Sequence, residues 1–589
     1  MALTKVSYSM IDGAPFNLSD FGNDFTAAVA AIGSTPATLV VSQDVTVSAS
    51  VTLPVTLGVE VINGAVITVN AGIKLIINGA FNAPMRQAFT YAGAGASVLF
   101  GRGTKMVIPQ WWGAKGNGST VPADIQDETD AMIACFVSVR KSFTTSNWVN
   151  NADLGPATVY IPRGTYAIND SLPVFLNVHV TGEGGNNSPL SFLVQQDLTK
   201  PIFMFVPQSY DEDFVVEWET ISTGTVYSIG LGSYQTAPFS NSNASAVFFN
   251  SCRQATTYCN ANFGASGGST IQTFGYSDLH FKYVRFVNVA GSCMKANDCL
   301  LNMPVHDCLF DNSQRGIELT GSAEGSVIMQ HSSMYTLPAG GVYARPTSGA
   351  GVSVEAFDGT FQGCAFSPNQ DGMISVINPS LVDRLVTLDS CVFRGLNFGP
   401  DRYRDGIFVS NTGNVRVQNN IFKNIDADGS SNCLTLSGNT IVKIEGNVFQ
   451  SDVLSSYTAS NFIYLFNSTS GWSVQINNNQ FYNVNASAYV NLVEAGSDYS
   501  NSNVSFMNNL VSGAVTTPLA NNINLIQKFG NSGTGFPTVT YGSGAPGAYT
   551  WRVGDIVYDT APSAGGTIGF VCVTAGTPGT WKTFGAISA

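Results

Sequence analysis

The sequence is poor in the residues on which several kinds of chemistry depend. It has 26 Lys and Arg against 39 Asp and Glu, a formal net charge of −13, whereas proteins that bind phosphate backbones or anionic membrane surfaces need clustered positive charge. It has four His, no HExxH motif and no Gly-rich phosphate loop, so it predicts no metal site and no cofactor. Nucleic acid is not an expected partner.

Long apolar runs and paired cysteines are missing too. No run approaches the roughly 20 apolar residues that span a bilayer, and residues 1–12 lack the basic and apolar regions of a secretory signal. These absences predict that the chain does not insert into a membrane and that it folds in a cytoplasm. The ten Cys show no C-x-x-C spacing, so we expect small buried apolar residues, not zinc ligands or a disulfide framework.

What is abundant favours extended sheet with tight turns. Hydrophobic residues make up 44% of the 589 residues, charged residues only 11%, and there are 60 Gly. Such a composition is typical of β-strands joined by sharp turns. The class predicted is therefore all-β.

An irregular repeat runs from about residue 279 to residue 511. Each unit ends on an aromatic or apolar anchor, and successive anchors are 24 to 32 residues apart. The anchors are Phe286, Phe310, Met334, Phe366, Phe393, Phe422, Phe449, Phe481 and Val511. Five and seven residues before almost every anchor stand further apolar residues, a period of two that predicts a strand with one buried face in each unit.

A polar column accompanies the anchors. Two residues before them, Cys and Ser give way to Asn420, Asn447, Asn479 and Asn509. Asn tolerates the left-handed backbone of a sharp turn, and stacked Asn side chains can bond from one coil to the next. Matched columns at near-constant spacing predict a right-handed parallel β-helix; an antiparallel β-sandwich would not need them.

The flanking segments predict smaller elements. Residues 38–81 favour a short β-coil, in which INGA at residues 62–65 recurs fifteen residues later. Residues 127–141 (DETDAMIACFVSVRK) predict the one clear helix, with acids in its first turn and bases in its last, suited to cap an open sheet edge. Residues 530–589 predict a small separate β module.

Several segments resemble pectate-lyase-like phage tailspikes. Residues 109–118 (PQWWGAKGNG) and 127–131 (DETDA) resemble the segment that leads into the capping helix of that family, although Asn117 replaces the commoner Asp and an insertion precedes the helix. Residues 158–166 (TVYIPRGTY) are similar to its first core strand. Residues 553–558 (VGDIVY) and 576–582 (GTPGTWK) are similar to a C-terminal module found on many tailspikes.

The resemblance implies an organisation and a biological role. It implies a virion-proximal neck at residues 1–108, a catalytic β-helix at 109–515 and a C-terminal β module at 530–589. It also implies a homotrimer, assembled in the host cytoplasm, that joins the phage tail by its N-terminus in the virion. The expected partner is a bacterial surface polysaccharide, capsule or O-antigen.

Hydrolysis of a glycosidic bond needs two carboxyl groups, about 5 Å apart in a retaining enzyme and about 6.5 to 9.5 Å apart in an inverting one. Asp371 and Asp405 are candidates, because each stands two residues before an apolar residue taken to face inward, as do Arg315, Asn432 and Asn461. Two such carboxylates on consecutive coils would repel and raise the pKa of one of them. Both precede Gly, so an ordinary turn is the alternative reading.

Two further groups of acids are candidates. Glu318 alternates outward between Ile317 and Leu319, and it is either a catalytic acid or a surface carboxylate paired with Arg315. Asp389 and Glu445 belong to an outward column two coils apart, a separation of roughly 9.6 Å at the inverting limit.

Candidate sugar-binding residues lie in an exposed interruption and beside an anchor. Residues 397–405 (NFGPDRYRD) offer Arg402, Tyr403 and Arg404, a ring that can stack on sugars and forked donors that suit acidic groups. A solvated loop is the alternative. His306 is a further candidate, with a structural role as its alternative.

The sequence therefore predicts an endoglycosidase that hydrolyses capsular or O-antigen polysaccharide. A polysaccharide lyase on the same fold and an adhesin that binds glycan without cleaving it remain open, and a ligand-free structural fibre is a fourth possibility.

Overall fold

Parallel strands stacked in register dominate a computed structural model of the chain. The structure describes residues 15–117, 126–139, 158–174, 179–185, 188–197, 202–205, 224–227, 230–233, 247–250, 277–287, 292–297, 300–311, 315–320, 324–335, 342–344, 357–362, 364–367, 374–394, 407–423, 432–451, 459–466, 473–483, 489–495, 503–513, 517–520, 525–529, 531–533, 537–548 and 550–589. The chain divides into two units, residues 1–338 with 342–357 and residues 339–341 with 358–589.

The first unit begins with a small three-sided parallel coil. Its sides are the strands Phe16–Asn17, Ala37–Val41, Leu57–Val61 and Phe81–Asn82; Val51–Leu53, Lys74–Ile77 and Ser97–Phe100; and Val45–Val47, Ile67–Val69 and Phe89–Tyr91. A 3-10 turn, Leu18–Phe21, and a helix, Phe25–Ile32, precede the second strand. Paired residues are 20 to 24 positions apart, such as Ala37 with Leu57 and Val51 with Leu75. The expected β-coil is confirmed, but the fifteen-residue INGA spacing is not its repeat.

The predicted helix occupies Thr129–Ser138, a shorter span than residues 127–141. Met132 and Phe136 are fully buried. The Glu128 carboxylate, at the helix start, accepts the backbone N–H groups of Lys115 at 2.9 Å and Gly116 at 3.1 Å. The acidic segment thus holds the tryptophan-rich segment, which forms the 3-10 turn Pro109–Trp112, against the helix.

The rest of the first unit consists of parallel β-helix coils. One sheet contains Met106–Val107, Thr158–Ile161, Leu172–Val174, His179–Gly182, Phe203–Phe205, Gly224–Tyr227, Val247–Asn250, Ser277–Lys282, Ser292–Asn297, Leu300–His306, Arg315–Thr320, Glu324–Gln330 and Val342–Ala344. The other contains Gly164–Ile168, Ser191–Gln195, Gly230–Ser233, Arg285–Val287, Leu309–Asp311 and Ser333–Tyr335. Gly184–Gly185 and Ser188–Pro189 form a short hairpin.

The second unit has the same architecture. Its longer strands are Phe357–Gln362, Ile374–Asp389, Ile407–Gln418, Asn432–Ser437, Ile441–Glu445, Ala459–Phe466, Ser473–Asn477, Tyr489–Ala495, Asn503–Met507, Thr517–Ala520 and Leu525–Phe529. Its shorter strands are Ala365–Ser367, Val392–Arg394, Ile421–Lys423, Val448–Ser451, Gln480–Asn483, Leu510–Gly513 and Ser532–Gly533. Parallel pairing therefore extends past residue 515. The predicted all-β class with a parallel β-helix is confirmed.

The anchors whose side chains the structure describes are buried in the core, as predicted. Phe393, Phe422, Phe449 and Phe481 pair in sequence across the short strands and stack with centroids 4.7 to 4.9 Å apart and planes within 8° of parallel. Phe286 stacks on Phe310 in the same way in the first unit, at 4.7 Å and 10°. Identical rings placed one strand spacing apart can continue such a stack through many coils.

The asparagine ladder is also confirmed, and it is almost completely buried. The Nδ2 of Asn420 donates to the Oδ1 of Asn447 at 3.0 Å, that of Asn447 to Asn479 at 2.9 Å, and that of Asn479 to Asn509 at 3.1 Å. The last described rung runs from Asn509 to Asn531.

The expected backbone conformation of the ladder was wrong by one residue. The left-handed residues with positive φ are those directly before the ladder positions: Tyr283, Asp307, His331, Ser390, Asn419, Gly446, Asn478 and Asn508. The turn is made by the exposed residue, which leaves the following Asn free to point inward and bond between coils.

The cysteines and the C-terminal module agree with expectation. The seven Cys of the described residues, Cys135, Cys293, Cys308, Cys364, Cys391, Cys433 and Cys572, are buried and none of them forms a disulfide. The end of the chain forms a four-stranded sheet of Val539–Gly542, Ile556–Asp559, Thr567–Thr574 and Thr580–Ala586. Within the described residues, no helix has the length and apolar character to cross a membrane.

Candidate functional site

Buried and outward residues alternate over the last residues of three neighbouring strands of the second unit and create an outward polar face. On the middle strand, Val415 and Val417 are buried, while Arg416 is exposed and Gln418 half-buried. The strands on either side, which end at Asp389 and Glu445, alternate in the same way. We call the outward residues of these strands the polar face.

One column of the polar face carries two carboxylates. Asp389 pairs with Gln418, and Gln418 pairs with Glu445, so the two acids lie on alternate coils as predicted. Two strand spacings separate their backbones by about 9.6 Å. Side-chain rotation can shorten this separation to the range of about 6.5 to 9.5 Å in which an inverting glycosidase fits a water molecule beside the sugar.

The turn that follows each strand orients the first carboxylate. The Asp389 Oδ1 accepts a hydrogen bond from the Ser390 hydroxyl at 3.0 Å and from the Asn419 Nδ2 at 3.3 Å. Ser390 and Asn419 are left-handed turn residues on consecutive coils. Among the described residues none donates to the Glu445 carboxylate, which is half-buried and open to a ligand.

A second column of the polar face is basic. Thr387, Arg416, Lys443 and Gln475 pair in that order, two residues before the acidic column. Arg416 and Lys443 are both exposed. The sequence prediction did not select Arg416 and Lys443. Their spacing could have identified them, because each stands two residues before a member of the outward column that contains Asp389, Gln418 and Glu445.

Several other predicted candidates lie partly or wholly outside the described residues. Glu318 lies on the strand Arg315–Thr320, where its backbone pairs with Lys295 and Tyr343. Its side chain and that of Arg315 lie outside the described residues, as do Asp371, Arg402, Tyr403, Arg404 and Asp405. Asn432 and Asn461 do share a column, joined by a hydrogen bond of 2.8 Å.

Ile374, which is fully buried, pairs with Ile407 on the neighbouring strand. The column predicted for Asp371 and Asp405 lies outside the described residues and stays a prediction.

His306 lies in the first unit, in an outward column with Lys282 and Gln330. It is half-buried, and its backbone carbonyl accepts a hydrogen bond from Tyr283 at 3.2 Å. This column is confirmed, and the sugar-binding role of His306 stays a prediction. Within the described residues, no three His, Cys, Asp or Glu side chains cluster as metal ligands would.

No protein-family model and no curated protein sequence matches the chain. Solved structures that it resembles include the A-module of mannuronan C-5 epimerase AlgE6 from Azotobacter vinelandii, with 13% identity, a TM-score of 0.44, and coverage of 72% of this chain and 99% of that one. Tailspike protein 3 of bacteriophage CBA120 has 12% identity and a TM-score of 0.44, and the match covers 82% of this chain and 70% of that one. PfbA, a surface adhesin of Streptococcus pneumoniae, has 10% identity and a TM-score of 0.35, and the match covers 82% of this chain and 99% of that one.

A phage tailspike is thus among the solved structures that this chain resembles. By their own descriptions the three neighbours are an epimerase module, a phage tailspike and a surface adhesin. At 10 to 13% identity, none of these activities is assigned to this chain by the comparison.

Proposed function

We propose that the protein is a phage tailspike that hydrolyses a bacterial capsular or O-antigen polysaccharide during host adsorption. The observation that carries the proposal is the outward column in which Asp389 and Glu445 lie two coils apart with Gln418 between them. Acids at that separation suit an inverting hydrolysis. The segments shared with phage tailspikes support the biological setting, including a homotrimer attached to the phage tail by its N-terminus.

The environment of each acid suggests its part in the reaction. Asp389 accepts two hydrogen bonds that orient its carboxylate, which suits a base that takes a proton from the attacking water. Glu445 would give its proton to the leaving oxygen. The water oxygen then bonds to the anomeric carbon as the glycosidic bond breaks, and the two carboxyl groups end with exchanged protonation states.

The test is size-exclusion chromatography of purified capsular polysaccharides from a serotype panel after incubation with the protein. We expect one serotype to be shortened, and Glu445→Gln and Asp389→Asn each to lower the rate by about 10² to 10⁴. Asp559→Asn, in the C-terminal sheet, is the matched control and should cleave at the wild-type rate. Unshortened polymer across a panel that includes the host would leave a glycan-binding adhesin.

A second candidate is β-elimination, favoured by the exposed Lys443 beside Glu445 on one strand. A lysine could take the proton next to a uronate carboxylate and leave an unsaturated sugar. Products that absorb in the near ultraviolet would identify this lyase, whereas hydrolysis gives products without that absorbance.

A further inference from the structure

Two cations occupy directly opposite positions on the polar face. Arg416 and Lys443 are register partners on adjacent parallel strands, with backbones about 4.8 Å apart. Both side chains are exposed. Within the part of the chain that the structure describes, neither forms an ion pair with a carboxylate.

Such a pairing is unfavourable in the free protein. Like charges directly opposite each other on neighbouring strands destabilise a sheet. The backbone separation is shorter than the screening length of about 8 Å at physiological ionic strength, so dissolved salt does not remove the repulsion completely. An anion bound between the two side chains would relieve it.

The neighbouring residues fit a sugar better than a polyphosphate. Thr387 and Gln475 continue the basic column on either side and can bond to hydroxyl groups. Ile441, 41% exposed, lies two residues before Lys443 on the same face and offers an apolar surface to a sugar ring. The adjacent acidic column would repel closely spaced phosphates, whereas a polymer with isolated single charges meets only the cationic couple.

We propose that Arg416 and Lys443 bind the carboxylate of an acidic sugar, and that the polysaccharide recognised by this protein carries uronic-acid-type units. The planar guanidinium of Arg416 matches a carboxylate in a forked geometry, and Lys443 adds a compact charge. Lys443 and Glu445 are about 6.6 Å apart along their strand. The bound sugar would therefore lie next to the residue assigned as the acid, so the inference rests on the proposed function for its substrate.

The experiment measures binding without cleavage. Glu445→Gln protein is titrated with uronate-containing capsular polysaccharides and with the same polymers after chemical reduction of their carboxyl groups. We expect a native polymer to bind at least about tenfold more tightly than its reduced form, and Arg416→Gln/Lys443→Gln to abolish that difference. Arg394→Gln removes an exposed cation of the same unit on the other sheet and should bind as the parent does.

Reduction removes carboxylates but leaves phosphate and sulfate esters intact. A reduced polymer that binds as well as the native one would overturn the proposal, as would a preference for native polymer that persists in the double variant. If no carboxylate-bearing polymer in the panel binds better than its reduced form, the proposal is likewise wrong.

This outcome is separable from failure of hydrolysis. Charge-dependent binding of a polymer that the wild-type protein never shortens would support the anion site and refute the proposed hydrolase activity. Equal cleavage of native and reduced polymer by wild-type protein would do the reverse.

Discussion

The Nδ2 of Asn447 donates to the Oδ1 of Asn479 at 2.9 Å, and both side chains are fully buried. Asn447 also donates to the carbonyl of Val417 and accepts from the backbone and side-chain amides of Asn420. Its side chain thus takes part in four hydrogen bonds that link three coils.

Asn447→Ala should lower the free energy of unfolding by about 3 kcal/mol, because it leaves several buried polar groups without partners and each costs about 1 to 3 kcal/mol. Urea unfolding followed by circular dichroism measures the loss. Ser512→Ala, at an exposed position, should change stability by less than about 0.5 kcal/mol. A loss of that small size for Asn447→Ala would mean that the ladder adds little to stability.

Asn508 should tolerate glycine but not valine. It is exposed and has a φ of 55°, a conformation that Asn and Gly adopt readily and that a β-branched side chain does not. We expect Asn508→Val to lower the melting temperature by an amount equivalent to about 1 to 3 kcal/mol, and Asn508→Gly to change it little. Equal melting temperatures for the two variants would contradict the assigned turn.

Glu128 should make stability depend on pH. Burial is the main cause that raises the pKa of its carboxyl above the ordinary 4.5, outweighing the hydrogen bonds from Lys115 and Gly116 that lower it. The folded state therefore holds the proton more tightly than the unfolded state, and stability falls as the pH rises from the ordinary value through the raised one.

Glu128→Gln cannot ionise and keeps an oxygen for both backbone N–H groups. The free energy of unfolding of Glu128→Gln, relative to that of the wild-type protein, should therefore increase as the pH rises across this window. Denaturant unfolding at a series of pH values provides the comparison, with Ser19→Ala as a neutral exposed control that should parallel the wild type. A constant difference between Glu128→Gln and wild type would refute the assignment.

If the polysaccharide is hydrolysed at the polar face, the new reducing end should have the inverted anomeric configuration. A spacing of about 9.6 Å between the Asp389 and Glu445 backbones leaves room for a water molecule but is long for a covalent glycosyl intermediate. Proton NMR of the first products, before mutarotation, reads the configuration. Retention would show that other carboxyl groups carry the reaction.

The sequence predicted the repeating core well, because a β-helix converts stacking into visible columns. The alignment of Phe422, Phe449 and Phe481 can be predicted from their residue type and spacing. The register Asp389–Gln418–Glu445 follows from that alignment. Insertions of varying length obscure such columns elsewhere, and the column of Asp371 and Asp405, which lies outside the described residues, stays a prediction.

Solvent-facing residues were harder to predict than core residues. A buried Val is constrained by its neighbours, whereas Arg416 and Lys443 face solvent and have no packing signature of their own. Their significance depends on being opposite each other, which follows only from the register of the two strands.

The asparagine ladder also separates the length of a coil from its alignment. Successive rungs are 27, 32, 30 and 22 residues apart in sequence, yet the amide contacts stay between 2.9 and 3.1 Å. Chain can therefore be added or removed between rungs at little cost to the stack. A scaffold of this kind can exchange the segments at its surface independently, which would let a lineage change its exposed surface without having to evolve a new core.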